Sequence, residues 1–270
     1  MSLHVLEGAV HRQEDFPVGS RQLRALLEAE ERHFWHRERN RWIVAAFRHF
    51  GVEPGAHVLE VGCGTGNVTR ALQKAGYRMT GVDTSLELAR MAEDRCPSAD
   101  IVVGDVAELT AGHQGPYDAV GFFDVLEHVD PPEPLLRSGL RWLREGGLVF
   151  VTVPGLTSLF SAFDTIQGHK RRYDVGDARR FLEAAGLSDA REHGLFRATL
   201  PLVRRTRARL DDSPGLDPEA AETMMVKSLA VPPWPVNLAL TMACRLERGL
   251  GWGLSRARPG SSLLAVARRS

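Results

Sequence analysis

The sequence predicts an α/β protein built on a doubly wound, seven-stranded and mostly parallel sheet whose last strand is antiparallel. Three observations predict this class. Apolar, strand-like runs alternate with segments of helical period, a glycine-rich turn follows the first run, and an aspartate ends the second. Because the chain has 270 residues and is 43% hydrophobic, it is long enough to bury a full core as one domain.

Two helices are expected before the sheet begins. Apolar residues recur at helical spacing in residues 21–31 and again in residues 37–50. We interpret residues 1–50 as a helical lid.

Residues 51–195 are expected to form the core of the fold. The run His57–Gly66, HVLEVGCGTG, reads as a buried strand that breaks into a turn and opens a helix. The other core elements predicted are helices at 69–75, 85–94, 134–144 and 178–185 and strands at 79–82, 101–103, 119–123, 148–153 and 190–195. Ligands bind beyond the carboxyl ends of such strands, so the site is expected there.

The end of the chain departs from simple alternation. Residues 196–260 are predicted to be a helical cap inserted between the last two strands, with helices at 219–229 and 236–250 and a loop at 211–218. Residues 261–270 supply the final strand, at 262–267. The apolar stretch 236–243 is too short to cross a bilayer, so no stable membrane insertion is expected.

The turn after the first strand indicates which cofactor it would hold. It carries three glycines, Gly62, Gly64 and Gly66, which remove side chains where a ligand would approach the backbone. A dinucleotide fingerprint, G-x-G-x-x-G, would need glycine at position 67, where this chain has Asn67. Glu60 precedes the turn and could meet an ammonium group, while Asp83 could accept both hydroxyls of a ribose. This pair of acids suits S-adenosylmethionine.

Four further motifs extend the pattern. After LEVGCGTG the chain continues with GVDTS at 81–85, VGDV at 103–106, YDAV at 117–120 and FDVLEHV at 123–129. In this order the chain resembles the class I S-adenosylmethionine-dependent methyltransferases over roughly residues 30–195. The resemblance implies S-adenosyl-L-methionine as cofactor and S-adenosyl-L-homocysteine as product. It also implies that Asp105 accepts from the adenine amino group, with the Val106 amide beside it.

The expected cofactor contacts are Trp35, Arg39, Glu60, Gly62, Cys63, Gly64, Asn67, Asp83, Thr84, Asp105, Val106 and Phe123. In a subgroup of the resembled family, an amino-terminal helix similar to FWHRER at 34–39 closes over the cofactor, which places Arg39 on the cofactor carboxylate. The alternative is a helix that packs Trp35 on the core with solvated arginines. Core packing is equally the alternative for Phe123, and a small turn residue is the alternative for Cys63.

Two histidines are the candidate bases, because an oxygen or nitrogen acceptor must lose a proton during methylation. His128, the first candidate, lies just past the fourth strand, where the alternative is that Glu127 and His128 only cap the turn. His169 begins the cluster HKRRY, and GHKRRY resembles a motif of a methyltransferase subgroup of glycan and natural-product pathways that faces the acceptor. The expected substrate contacts are Asp124, Arg171, Arg172 and Tyr173.

The spacing of Asp124, Glu127 and His128 resembles the carboxylate-x-x-Glu-His cluster of ubiquinone-pathway methyltransferases that use a divalent ion. Here aspartate stands where that family has glutamate at the first position. Metal-free relatives show the same letters, so we expect no metal.

Composition limits the partners. Lysine plus arginine equals aspartate plus glutamate at 34 each, so no global field favours nucleic acid. Three scattered cysteines without a CxxC pair and an amino terminus unlike a signal peptide indicate a cytoplasmic location. A small-molecule acceptor is expected, methylated on oxygen first, nitrogen second and carbon third, and a homodimer is possible. The alternatives are an NAD-dependent oxidoreductase, a catalytically silent partner subunit that binds the cofactor, and a nucleic-acid methyltransferase.

Overall fold

The computed structural model describes residues 3–6, 20–110, 115–207, 217–251 and 258–270. Its strands form one sheet in the order β1-β4-β3-β2-β5-β6-β8-β7. The strands are β1 (His4–Val5), β2 (His57–Val61), β3 (Arg78–Asp83), β4 (Asp100–Val103), β5 (Tyr117–Phe123), β6 (Leu143–Pro154), β7 (Ser188–Leu195) and β8 (Ser262–Arg268).

The predicted sheet is confirmed, with one short strand added. Strand β2 pairs in parallel with β3 on one side and with β5 on the other, whereas β8 runs antiparallel to both β6 and β7. The added strand is β1, a two-residue edge strand that pairs in parallel with β4. Its brevity explains why periodicity did not reveal it.

Ten helices are found in the described part of the chain. They are α1 (Arg21–Arg32), α2 (Phe34–His49), α3 (Asn67–Lys74), α4 (Leu86–Arg95), α5 (Glu133–Leu140), α6 (Ala162–Ile166), α7 (Asp177–Ala184), α8 (Leu200–Arg207), α9 (Pro218–Leu229) and α10 (Trp234–Gly249). The predicted helix at 134–144 was too long at its carboxyl end. Leu143 already pairs with Tyr117 in the sheet, and the Tyr117 amide donates to the Trp142 carbonyl at 2.7 Å. Helices α6 and α8 were not predicted.

The two faces of the sheet are covered by separate apolar clusters. Alternate residues of β2 show this, because Val58 packs with Trp42 and Leu72 of the helices on one face, whereas Leu59 packs with Leu136 and other residues of the opposite face. Full burial on both sides explains why these strands are almost continuously apolar.

The described part of the region between β7 and β8 contains helices α8, α9 and α10, of which α9 and α10 dock on the amino-terminal helices. Met225 and Leu229 of α9 pack against Ala29 of α1. Asn237 of α10 accepts from the Phe34 amide at 2.9 Å and donates to the Arg32 carbonyl at 2.9 Å. Residues 211–216 of the predicted loop at 211–218 lie outside the described residues, whereas Asp217 caps α9 and Pro218 begins it. Within the described ranges, every helix is too short or too polar for a bilayer crossing.

The glycine turn, residues 62–66, joins β2 to α3, and its glycines serve different purposes. All three have positive φ angles, of 74° at Gly62, 53° at Gly64 and 77° at Gly66. A Cβ on Gly62 would lie 2.5 Å from the Val125 side chain, and one on Gly66 would lie 2.9 Å from the Ala92 backbone. Only at Gly64 would a Cβ find no atom within 4 Å. The expectation that all three glycines make room for a ligand is therefore corrected, because two of them make room for the protein itself.

This difference predicts unequal effects of alanine at two positions of the glycine turn. Gly62→Ala should lower the free energy of unfolding by about 3 kcal/mol, because left-handed strain and the collision with Val125 add together. Gly64→Ala, the matched control, should lower it by about 1 kcal/mol, from backbone strain alone. Urea unfolding followed by circular dichroism measures both values. Equal losses would contradict the assignment of separate roles.

Candidate functional site

The carboxyl ends of β2 and β3 bring an acid to each side of the glycine turn. Asp83 ends β3, and its carboxylate accepts from the Gly64 amide at 2.7 Å and from the Ser85 amide at 2.9 Å. These bonds fix the turn against the next strand. Because each carboxylate oxygen has more than one lone pair, Asp83 retains capacity to accept from a ligand.

Glu60 is buried within β2, where an ionised carboxylate is disfavoured. Its Oε2 accepts from the Thr69 hydroxyl at 2.6 Å. Burial raises the pKa of Glu60 to about 8, although the Thr69 hydrogen bond and the charge of Arg39 act in the opposite direction. Glu60 is therefore mostly protonated at neutral pH until a cation approaches it.

The remaining core positions predicted to contact the cofactor fall into two groups. Asp105 and Thr84 are partly exposed after β4 and β3, and the Asp105 side chain accepts from the Ala107 amide at 2.9 Å. Val106, Cys63 and Phe123 are buried in the apolar clusters. Burial, and then the acids Asp83 and Glu60, raise the pKa of the Cys63 thiol, so this cysteine is a packed neutral group.

The amino-terminal helices contact the turn and the strand ends at three points. Glu30 of α1 accepts from the Thr65 hydroxyl at 2.6 Å, and Asn40 of α2 donates to the Asn67 side chain at 3.0 Å. Arg39 of α2 donates to Asp124, just past β5, at 2.8 Å. Two predicted site residues from distant parts of the sequence, one assigned to the cofactor and one to the substrate, are thus brought together.

Trp35 is placed beside Arg39 and against the region that follows β7. The Arg39 guanidinium lies 5.0 Å from the centre of the Trp35 ring, within the range of a cation–π contact. On its other side Trp35 stacks on Phe196, with ring centres 5.8 Å apart. Helix α2 and the segment after β7 therefore share one aromatic contact near the site.

Glu127, His128 and His169 form a cluster beyond the ends of β5 and β6. Each offers one nitrogen or oxygen atom within 4.8 Å of the others, and the two histidine rings lie 4.8 Å apart in an edge-to-face arrangement. This spacing could accommodate a divalent cation. Asp124, which the sequence pattern would add to such a set, is instead paired with Arg39.

The electrostatics of this cluster favour neutral groups. Glu127 is fully buried, and burial together with the nearby charge of Asp124 raises its pKa well above the usual range. Loss of solvent, and then the neighbouring His169, lower the pKa of His128. The raised pKa of the Glu127 carboxyl group and the lowered pKa of the His128 imidazole both favour the neutral forms of these groups.

Asp164 of α6 was not predicted, yet it is the most connected carboxylate of the described site. It is fully buried, and its oxygens contact His169 Nδ1 at 3.1 Å, Arg172 Nε at 2.8 Å and a guanidinium nitrogen of Arg207. Its second oxygen also accepts from the Ser161 amide at 3.0 Å, in a capping box of α6. We call Asp164, His169, Arg172 and Arg207 the Asp164 cluster.

The three predicted residues that follow Lys170 have different surroundings. Arg172 donates to Asp164 and, at 2.9 Å, to the Gly155 carbonyl, so its guanidinium is held in the interior. Arg171 is partly exposed and pairs with Asp130. Tyr173 is buried beside the end of β6, and burial followed by the charge of Glu127 raises its pKa.

Several buried polar atoms near the strand ends have no hydrogen-bond partner in the protein. They are Arg39 Nε, Asn67 Nδ2, Glu127 Oε2, Arg171 Nε and the Tyr173 hydroxyl. Buried polar groups are rarely left unpaired, and a polar ligand is one way to pair them. These atoms, and the open space beside Gly64, leave hydrogen-bonding groups available to a polar ligand.

Sequence reasoning missed Glu30, Asn40, Asp164 and Arg207. Asn40 could have been found, because it follows Arg39 by one position on a helix already assigned to the site. Asp164 carries a weaker signal, as a single acid in the apolar run LFSAFDTI five residues before His169. Glu30 and Arg207 carry none, because only the tertiary packing of α1 and α8 brings them to the site.

Comparison with known proteins identifies the family. A family model described as methyltransferase domain matches residues 31–199, more than half of the chain. Among curated proteins, the ubiquinone biosynthesis O-methyltransferase of Xanthomonas campestris pv. campestris is 35% identical over 103 residues, which cover 37% of this chain and 43% of the relative. The enzyme of the same name from Xanthomonas oryzae pv. oryzae is 34% identical over 102 residues, covering 36% and 43%. The match thus spans less than half the length of these relatives.

Solved structures show the same fold at low identity. The magnesium protoporphyrin IX methyltransferase of Synechocystis PCC 6803, solved with bound S-adenosylhomocysteine, superposes with a TM-score of 0.53 at 18% identity, covering 87% of this chain and 83% of that one. A SAM-dependent methyltransferase from Archaeoglobus fulgidus gives a TM-score of 0.53 at 19% identity, covering 85% and 94%. The chain belongs to the methyltransferase-domain family and has the class I, S-adenosylmethionine-dependent methyltransferase fold.

Proposed function

We propose that this protein transfers a methyl group from S-adenosylmethionine to a hydroxyl group of a small-molecule acceptor, with nitrogen as the second and carbon as the third candidate atom. The observation that carries the proposal is the pair of acids, Glu60 and Asp83, on either side of a glycine turn whose Gly64 borders open space. Membership of the methyltransferase-domain family supports it.

The residues around the turn are assigned complementary roles toward the cofactor. Glu60 receives the ammonium group, Asp83 accepts from the ribose hydroxyls, and Asp105 accepts from the adenine amino group. Arg39 donates to the cofactor carboxylate through Nε, which lacks a protein partner, while its Nη1 stays on Asp124. Residues 1–50 act as a lid and residues 196–260 as a cap, and the contacts of α1, α2 and α10 described above support both assignments.

When bound, S-adenosylmethionine supplies a methyl group on a sulfonium leaving group, so the protein's main tasks are to align the acceptor and to exclude water. His169 takes the proton from the acceptor hydroxyl. Held by Glu60 and Asp83, S-adenosylmethionine would supply both the methyl group and a sulfur leaving group that keeps the electron pair of the broken carbon–sulfur bond. His128 is the weaker candidate base, because its surroundings disfavour its protonated form.

The acceptor is proposed to carry an anionic or strongly polar group that meets Arg171. This guanidinium is partly exposed and has a buried nitrogen without a partner, whereas Arg172 is committed to Asp164 and Gly155. The curated relatives are named for ubiquinone biosynthesis, and the GHKRRY motif resembles that of glycan and natural-product enzymes. We infer a hydroxylated intermediate of such a biosynthesis as the acceptor.

Two alternatives make different predictions for binding. An NAD-dependent oxidoreductase would bind the dinucleotide more tightly than S-adenosylhomocysteine, which the missing third glycine of the fingerprint argues against. A catalytically silent partner subunit would bind S-adenosylhomocysteine normally and would methylate no acceptor in the absence of a second protein.

Cofactor binding is expected to release a proton at neutral pH. With a pKa of about 8, Glu60 is mostly protonated at pH 7 in the free protein, and a cationic ammonium beside it favours the ionised form. Calorimetric titration with S-adenosylhomocysteine at pH 7, in buffers of different ionisation enthalpy, should show release of about one proton per site. Glu60→Gln should bind more weakly and release none. Unchanged proton release in Glu60→Gln would refute the role given to this acid.

The choice between the two histidines can be tested by activity. A screen with radiolabelled S-adenosylmethionine against catechols, phenols, hydroxylated sugars and amines first identifies an acceptor. His169→Gln should then lower kcat by about 100-fold or more, the usual contribution of a general base, whereas His128→Gln should lower it much less.

The same assay tests the expectation that no metal takes part. Asp124, the first carboxylate of the metal-binding pattern, is paired with Arg39, so the cluster of Glu127, His128 and His169 lacks one carboxylate of that pattern. Activity should therefore survive extensive treatment with EDTA. Loss of activity on chelation and its recovery with Mg²⁺ or Zn²⁺ would instead assign the Glu127, His128 and His169 cluster to a metal.

The protein is further proposed to form a homodimer through helix α10. Five large apolar side chains of this region recur every fourth residue and are 44–76% exposed, namely Trp234, Leu238, Met242, Leu246 and Leu250. A row with this spacing is a ridge of the kind that packs into the grooves of another helix. The row is also symmetric about Met242. A two-fold axis at this residue would place Trp234 of one protomer against Leu250 of its partner, and Leu238 against Leu246.

The dimer proposal predicts a concentration-dependent mass. Light scattering on a sizing column should give a dimer for the natural protein and a monomer for Met242→Glu, because the buried charge opposes association. Leu202→Glu, which alters an exposed leucine of α8, is the matched control and should remain dimeric. A natural protein that is monomeric would overturn the proposal. So would a monomer that floats with anionic liposomes, if Met242→Glu abolishes that flotation.

A further inference from the structure

We infer that Asp164 is a positioning residue that fixes the tautomer of His169, so that Nδ1 carries the proton and Nε2 presents its lone pair to the acceptor. That Nε2 faces the acceptor rests on the proposed function, whereas the position of the proton on Nδ1 is argued from the geometry alone. It also gives the segment after β7 a role in catalysis, because Arg207 of α8 holds Asp164 in place.

The first step is the state of the Asp164 carboxyl group. Burial alone would favour its neutral form, but His169, Arg172 and Arg207 surround it with donors and positive charge. These interactions outweigh burial and hold the pKa of Asp164 well below its usual range. Asp164 is therefore ionised at any pH at which the enzyme would work, and an ionised carboxylate only accepts hydrogen bonds.

The tautomer follows from that state. His169 Nδ1 lies 3.1 Å from Asp164 Oδ1, which has no proton to donate. The hydrogen between them must then belong to Nδ1, and the neutral ring has its lone pair on Nε2. Because the amide of His169 also donates to the Asp164 carbonyl at 2.9 Å, both the backbone and the ring of His169 are tied to the same residue.

The orientation of Asp164 is itself fixed by residues from three parts of the chain. Ser161 donates to its Oδ2 from the backbone, Arg172 donates to its Oδ1, and Arg207 reaches Oδ2 from α8. The Arg207 guanidinium also lies 4.3 Å from the centre of the Phe163 ring. A carboxylate with this many donors cannot rotate without breaking several bonds, so it holds the imidazole in one orientation.

The test is the protonation pattern of the His169 ring, read by nitrogen-15 correlation spectra of uniformly labelled full-length protein near neutral pH, with the His169 signals assigned by their absence in His169→Gln. In the natural protein, neutral His169 should carry its proton on Nδ1. A neutral His169 with its proton on Nε2 in the natural protein would overturn the inference. This outcome would hold even if the protein methylates an acceptor.

Asp164→Asn adds a kinetic readout where it folds. Its amide can donate to Nδ1, so the ring should shift toward the Nε2-protonated form and kcat should fall by about 100-fold, while the dissociation constant of S-adenosylhomocysteine stays within about twofold of the natural value. Glu192→Gln makes the same chemical change in a buried carboxylate that caps α7 through the Gly176 and Arg179 amides, and it controls for lost stability. It should lower the unfolding temperature and leave kcat and the His169 spectrum unchanged. A normal kcat in Asp164→Asn would contradict the inference. If the natural protein shows the expected tautomer but methylates no acceptor, the proposed function is contradicted and the inference about the tautomer is not.

Discussion

The structure depends on the parallel pairing of β2, β3, β4, β5 and β6, because this pairing directs the carboxyl ends of five strands toward one edge of the sheet. The middle of these strands is buried on both faces, and four acids lie at or just beyond their carboxyl ends. Glu60 is next to the last residue of β2, Asp83 ends β3, and Asp105 and Asp124 follow β4 and β5. The Asp83–Gly64 hydrogen bond then locks the glycine turn to the neighbouring strand.

The rest of the site comes from elements outside the alternating core. Helices α1 and α2 contribute Glu30, Arg39 and Asn40, while α6 and α8 contribute Asp164 and Arg207. These side chains do not form a second core. They make hydrogen bonds to residues of the strand ends and of the loop after β6, so a movement of the outer helices would change the geometry of the site. The sheet and the outer helices therefore both carry residues of the candidate site.

Sequence reasoning worked where a residue's position is set by its own strand or turn. Periodicity and the glycine spacing predicted the strands from β2 to β8, and the acids at positions 60 and 83 were found because each stands out in an apolar strand. The reasoning failed where a role depends on tertiary packing. Gly62 and Gly66 looked like ligand-facing glycines, but Val125 and Ala92 occupy the space beside them. Asp164 was missed because Arg207, which lies 43 positions later on α8, reaches it only in the folded chain.

The central claim is that Glu60 and Asp83 hold one S-adenosyl nucleoside across the glycine turn. A crystal structure of the protein with S-adenosylhomocysteine tests it most directly. The account predicts hydrogen bonds from the ribose hydroxyls to the Asp83 carboxylate and a contact between the ammonium group and Glu60, with the Asp83–Gly64 bond retained. A nucleoside bound elsewhere, or bound at this edge with neither acid in contact, would contradict it.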